Sequence, residues 1–147
     1  MESPTPALVL VAEDDENDIF LLRHAFQQAR LSYPIIDVPN GEEAIDYLSG
    51  CVPYAGREHH PLPALLLLDL KMPLLNGFDV LSWLQGRPEF RDMPAVVLSS
   101  SAFDSDIKRA RELGARDYLV KPQSSDDLVK LVQELSLHWL SRGIPAF

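Results

Sequence analysis

Leu65-Leu66-Leu67-Leu68-Asp69-Leu70-Lys71-Met72-Pro73-Leu74-Leu75-Asn76-Gly77 is the stretch that decides the fold. Residues 65–84 are apolar enough to pass for one long helix. Pro63 and Pro73 bracket the leucine run at strand length, however, and Gly77 restarts the chain. A proline inside a helix removes a hydrogen bond and clashes with the preceding turn, so strand, loop and helix follow in that order. The strand ends on a lone carboxylate, Asp69, which a Pro- and Gly-bounded loop leaves at the sheet edge. Ligands of open parallel sheets bind there, outside the carboxyl ends of the strands.

The same alternation runs outward in both directions. Leu8 to Ala12 and Tyr33 to Val38 are short apolar runs of the kind buried in a parallel sheet. Between them, Glu16 to Arg30 carries Ile19, Leu22, Phe26 and Ala29 at helical spacing. Asn40, with Glu43 three positions on, opens a helix that reaches Ser49. Cys51 to Pro63 is a loop longer than the usual connection, with His59 and His60 read as solvated. Phe78 to Gln85 reads as a helix, Pro88 to Asp92 as a turn, and Pro94 introduces a strand through Leu98. A polar helix from Asp104 to Leu113 ends at Gly114, and Arg116 to Val120 is the fifth strand. Ser124-Ser125-Asp126-Asp127 caps a last helix with Leu128, Leu131, Val132, Leu135 and Trp139 in one stripe. Five strands, each followed by a helix, predict an α/β fold with a doubly wound parallel sheet. The reading is a single domain over residues 8–140, with tails at 1–7 and 141–147 and no output domain. Leu137, Leu140, Ile144 and Phe147 fall off the final stripe or beyond it, which predicts a homodimer seam through the last helix and tail.

Bulk properties narrow the function. Lys and Arg number 13 against 22 Asp and Glu among 147 residues, a formal net charge of −9. Nucleic-acid binding would need a basic stripe, so it is not expected. The single Cys51 allows no internal disulfide, which points to a reducing cytoplasm. No apolar run approaches the roughly 18 residues of a membrane span, and the first residues lack the basic start of a signal peptide. The expectation is a cytoplasmic protein with no membrane partner.

Four strand ends carry matching chemistry: Glu13-Asp14-Asp15, Asp69, Ser99 and Lys121-Pro122. Taken singly, the acid run is a helix cap, Asp69 a turn former and Lys121-Pro122 an ordinary loop. Their joint occurrence at successive strand ends makes one site. Two unit charges about 4 Å apart repel by roughly 4 kcal/mol at an effective dielectric of 20. Glu13, Asp14 and Asp69 with Lys121 beside them leave a local charge of −2, which a hard dication such as Mg²⁺ balances through oxygen ligands. Lys121 and the Ser99 hydroxyl would then stabilise the oxygens of a phosphoryl group moving onto Asp69, a reaction that needs mostly positioning and charge compensation.

On these residues the chain resembles the response-regulator receiver domains of two-component signalling. The likeness spans residues 8–137 and lies in Glu13-Asp14, Asp69 with Met72-Pro73 and Gly77, Ser99, Tyr118 and Lys121-Pro122, in family order and spacing. It implies a flavodoxin-like (βα)5 sheet of strand order 2-1-3-4-5. It makes Asp69 the phosphoacceptor, served by Ser99 and Lys121 and fed by a sensor histidine kinase. Glu13, Asp14, Asp69 and the Lys71 backbone carbonyl would hold Mg²⁺, Ser99 and Tyr118 would form the switch, and the Lys121-Pro122 bond would be cis. Such a protein is a switch rather than an enzyme, limited to self-phosphorylation and autodephosphorylation, and a histidine phosphotransfer protein is a further expected partner. The Glu-Asp form of the acidic pair, the long loop and the missing output domain resemble the stand-alone regulators that accompany phytochrome-like sensor kinases. Two other classes share parts of the pattern. A haloacid-dehalogenase-type phosphohydrolase would want an acid where Lys71 stands, and a flavodoxin-like cofactor binder would want a Gly-, Ser- or Thr-rich first loop in place of the acidic one.

Overall fold

Four leucines buried on both faces put β3 (Leu65–Leu68) at the centre of the sheet. In the computed structural model, which describes residues 7–141, β3 pairs in parallel with β1 (Val9–Ala12) on one side and β4 (Ala95–Ser99) on the other. β2 (Ile35–Val38) lies outside β1 and β5 (Asp117–Val120) outside β4, giving the expected order β2-β1-β3-β4-β5. Ile144 and Phe147, on which part of the dimer expectation rested, lie outside the described residues.

Side chains of a strand alternate between faces, and here each face has its own core. Leu65 and Leu67 join Val9, Val11, Leu22 and Phe26 beneath α1 (Glu16–Gln28) and α5 (Ser125–Leu135). Leu66 and Leu68 join Leu10, Leu48, Val80 and Leu81 beneath α2 (Gly41–Ser49), α3 (Gly77–Gln85) and α4 (Asp104–Glu112). Among the described residues no helix is long and apolar enough to cross a membrane.

Element boundaries move by one or two residues for local reasons. α1 stops at Gln28 because Arg30 turns left-handed, with φ 59°. Ser99 is the last residue of β4 rather than the first of the loop. α3 starts at Gly77 because Asn76 and Asp79 cap each other reciprocally, Asn76 N–H donating to the Asp79 carboxylate at 2.9 Å and Asp79 N–H to Asn76 Oδ1 at 3.0 Å.

Three expectations are corrected. First, Leu140 is buried at 6% exposure and belongs to the α1–α5 core, while Leu137 is 72% exposed. The chain continues α5 with a π-turn over Ser136–Leu140. Its i→i+5 bonding delays the inward position by about one residue relative to an α-helix, which carries Leu140 to the sheet side. Second, His59 is exposed as expected, but His60 is half-buried and the Cys51–Pro63 loop is tied to α2. Arg57 donates to the Tyr47 and Leu48 carbonyls at 3.0 and 2.5 Å, capping the end of α2, and also to His60 O at 3.0 Å. Tyr54 donates to Glu43 at 2.9 Å, and the His60 ring stands edge-on to Tyr47 and Tyr54. Burial, with the Glu43 carboxylate beside it, pushes the Tyr54 hydroxyl up to about 12. Third, Lys121-Pro122 is trans, and the cis bond among the described residues is Val52-Pro53. Proline's amide separates the isomers by only about 0.5–1 kcal/mol, so local sequence does not choose between them.

Gly77 is where fold and strand end meet. Its N–H bonds Leu70 O at 3.1 Å, and a Cβ there would collide with the Asp69 carbonyl oxygen and come within 2.9 Å of the Leu70 Cα. Both obstacles are backbone, so neither can rotate away. Gly77→Ala is expected to lower stability by about 2 kcal/mol in urea denaturation, with the loss accompanied by a shift of the Asp69 and Leu70 amide resonances.

Candidate functional site

Parallel register brings the strand ends level. Ala12 lies opposite both Val38 and Leu68, and Ser99 lies opposite Val120. Hydrogen bonds extend each ladder by one residue: Glu13 N–H to Val38 O, Asp69 N–H to Ala12 O and Lys121 N–H to Ser99 O, at 3.0, 3.0 and 2.8 Å. Glu13, Asp69, Ser99 and Lys121 therefore meet at one edge. The acid run divides its work. Asp15 caps α1, accepting from the Asn17 and Asp18 N–H groups at 2.9 and 3.1 Å, whereas Glu13 is buried and Asp14 exposed at the edge itself.

Oxygens of Glu13, Asp14 and Asp69 lie within 4.8 Å of one another. An all-carboxylate set at this spacing suits a hard divalent cation, which takes oxygen ligands. Lys71, exposed two residues beyond Asp69, borders an open depression with Asp14, Asn76, Asp106 and Arg109. The Asp69 carboxylate is 8% exposed and held at both oxygens. Its Oδ1 accepts from Leu70 N–H at 2.7 Å, and its Oδ2 lies 3.4 Å from Lys121 Nζ.

One residue was missed by sequence reasoning. Asp18 accepts from Lys121 Nζ at 2.8 Å, beside the 2.5 Å bond from Lys121 to Glu13. The signal was present: Asp18 stands one helical turn before Leu22 and two before Ala25 and Phe26, an acid on the stripe that faces the sheet. Lys121 thus pairs with three carboxylates, Glu13, Asp18 and Asp69, and Asp14 lies beside Glu13 and Asp69, a formal net charge of −3 for the five groups. The pKa shifts follow from burial and from these contacts. Burial, with the Asp69 charge adding to it, pushes Glu13 up to about 7 despite its bonds from Lys121 and the Asp15 N–H. Burial alone would lower Lys121, but its hydrogen bonds to Asp18 and Glu13 and the charge on Asp69 outweigh it and hold it above the usual lysine range. Lys121 stays charged, and Glu13 is the group that takes up a proton.

Ser99 is fully buried, and its Oγ accepts from Ser101 N–H at 3.1 Å. Tyr118 is buried too, its hydroxyl donating to Ser101 O at 2.8 Å, while Ser101 Oγ donates to Asp106 at 2.6 Å. The two expected switch residues therefore meet through Ser101. His24 is exposed and stacks on Phe20 along α1.

The response regulator receiver domain model matches residues 9–133. FilR2, a probable methanogenesis regulatory protein of Methanothrix harundinacea, is 34% identical over 95% of this chain and 88% of its own. The response regulator Rcp1 of Synechocystis is 32% identical over 95% of this chain and 92% of its own. The solved Mn²⁺-bound form of Rcp1 superposes with a TM-score of 0.80 at 31% identity, covering 92% of this chain and 95% of the other. RPA3017, a response regulator in red light signalling of R. palustris, superposes with a TM-score of 0.88 at 34% identity, covering 96% and 99%. With its sheet order, its acidic strand-end pocket and this match along nearly the whole length of each relative, the chain belongs to the response regulator receiver domain family.

Proposed function

We propose that Asp69 is the phosphoacceptor of this signalling switch, that a sensor histidine kinase is the donor, and that Mg²⁺ is the metal. The observation that carries the reading is the Asp69 carboxylate itself, with one oxygen facing Lys121 at 3.4 Å and its ligand atom within 4.8 Å of Glu13 and Asp14 oxygens. An Asp69 oxygen attacks the phosphorus of a phosphohistidine; the P–N bond breaks, the imidazole leaves, and a mixed anhydride forms on Asp69. Lys121 and Ser99 supply N–H and O–H donors to the moving phosphoryl oxygens. Glu13, Asp14, Asp69 and the Lys71 carbonyl would hold Mg²⁺, which would offset the charge gathered on those oxygens. Self-phosphorylation from small donors and autodephosphorylation are the only chemistry this set of residues asks for.

Ser99, Ser101 and Tyr118 form the readout. A Ser99 hydroxyl that turns to donate to the phosphoryl group carries Ser101 with it, and the Ser101 carbonyl holds the Tyr118 hydroxyl. Output passes by protein contact or onward to a histidine phosphotransfer protein, in the cytoplasm. A phytochrome-like kinase is the donor favoured by the likeness to RPA3017, a protein of red light signalling.

Asp69→Asn keeps the shape and removes the nucleophile. Wild-type protein should take label from a cognate kinase or acetyl phosphate only with divalent metal, and Asp69→Asn should take none; acid-stable label on the variant would move the acceptor elsewhere. Metal and proton compete for Glu13, whose pKa of about 7 exceeds its ordinary 4.5. Ionisation of Glu13 costs the metal-free chain stability as pH rises through 7, and metal binding reverses that penalty. Mg²⁺ affinity should therefore be about tenfold weaker at pH 6 than at pH 8, with proton release visible by calorimetry in buffers of different ionisation enthalpy. A homodimer through the final helix retains Leu137 as its exposed apolar contact among the described residues. Sedimentation of wild type and Leu137→Glu, each with and without beryllofluoride, should show a dimer that the variant loses; monomers throughout would remove the seam.

A further inference from the structure

An ammonium has three N–H donors, and Lys121 aims them at Glu13, Asp18 and Asp69, at 2.5, 2.8 and 3.4 Å. Glu13 and Asp69 also belong to the carboxylate set that fits a divalent cation, whereas Asp18 does not. We infer that Asp18 is the positioning residue for Lys121: it tethers the ammonium at the strand end so that another of its N–H groups meets the oxygens on Asp69. The inference rests on the reading of Asp69 as phosphoacceptor.

Three features of the structure support a tether. Asp18 is fixed before it meets Lys121, because its own N–H is capped by Asp15 at 3.1 Å and its helix is seated on the sheet through Leu22, Ala25 and Phe26. A cavity beneath α1, walled by Leu22, Leu67, Leu98 and Leu128, reaches both Asp18 and Lys121. An untethered lysine stem has room to fall back into it. Finally, the other two acceptors weaken during the reaction. A carboxylate shared with a dication attracts Lys121 less, and Asp69 loses its negative carboxylate when the anhydride forms. Asp18 alone keeps a full charge on Lys121 throughout. The plainer role, an acid in the first turn of α1 favoured by the helix dipole, predicts a change in stability and none in phosphorylation.

The test uses the full chain carrying Asp18→Ala, Asp18→Asn or Asp18→Glu, each with Lys121 intact and with Lys121→Ala. Two quantities are read: the maximal rate of labelling by acetyl phosphate at saturating Mg²⁺, and the ¹⁵N-edited signal of the Lys121 ammonium without metal or donor. Asp18→Ala should lower the maximal rate about tenfold, as loss of a group that orients a ligating or catalytic side chain does, and should broaden the ammonium signal into solvent exchange. Asp18→Glu should restore most of both, and in the Lys121→Ala background Asp18→Ala should change the rate no further. A wild-type rate with an unchanged ammonium signal in Asp18→Ala overturns the inference, as does an equal loss in both backgrounds. If Asp18→Ala does not fold, the isosteric Asp18→Asn carries the same comparison. If Lys121→Ala labels too slowly to measure, the ammonium signal and the Asp18→Glu rescue decide. Failure of the wild type to label would strike the phosphoacceptor reading instead, so the two failures are distinct.

Discussion

Burial of β3 on both faces is the constraint on which everything else rests. A strand with no solvent-facing side must have a neighbour on each edge and a helical layer on each face, and that places Asp69 between the ends of β1 and β4. Yet four identical side chains cannot set the register, since a slip of one residue exchanges leucine for leucine. The carboxylate sets it. A slip that drew Asp69 into the Leu68 position would bury an unpaired charge at a cost of several kcal/mol, so the strand stops with Asp69 at the edge. The functional residue is also the register stop.

The site gathered at that edge is electrostatically unbalanced by construction. Glu13, Asp18 and Asp69 meet one ammonium with Asp14 beside them, and burial, with the Asp69 charge adding to it, raises Glu13. A pocket in that condition favours whatever brings positive charge, and among small ions a hard dication matches its oxygen donors. The same imbalance gives Lys121 a special standing. It is the only ammonium that the described ion pairs place in the cluster, and its orientation decides which oxygen is neutralised.

The sheet's far flank illustrates a different economy of contacts. The long Cys51–Pro63 segment keeps its shape through Arg57, which occupies the orphan carbonyls at the end of α2, and through Tyr47 donating to Pro61 O at 2.8 Å. On the site's own side, Asp14 and Lys71 border an open depression to which this loop contributes no lining residue.

Much of this was legible in the sequence because it depends on local rules. Proline and glycine delimit β3, short continuous apolar runs and period-3.6 patterns separate strands from helices, and the strand-end residues Glu13, Asp14, Asp69, Ser99 and Lys121 announce an edge site. Capping was also local: the Asn40 and Ser124 side chains each accept from a backbone N–H three residues on. What only the tertiary structure decided are pairings across long sequence separation or shifts of helical phase. Asp18 meets Lys121 across 103 positions, because two elements at opposite ends of the chain pack on the same face of the sheet. Leu140 turned inward because a π-turn, invisible in composition, rotated the end of α5. Ser101 became the bridge between Ser99 and Tyr118 because neighbouring strand ends came level. Sequence spacing names the groups that reach an edge; three-dimensional packing decides which of them share a proton, a charge or a cavity.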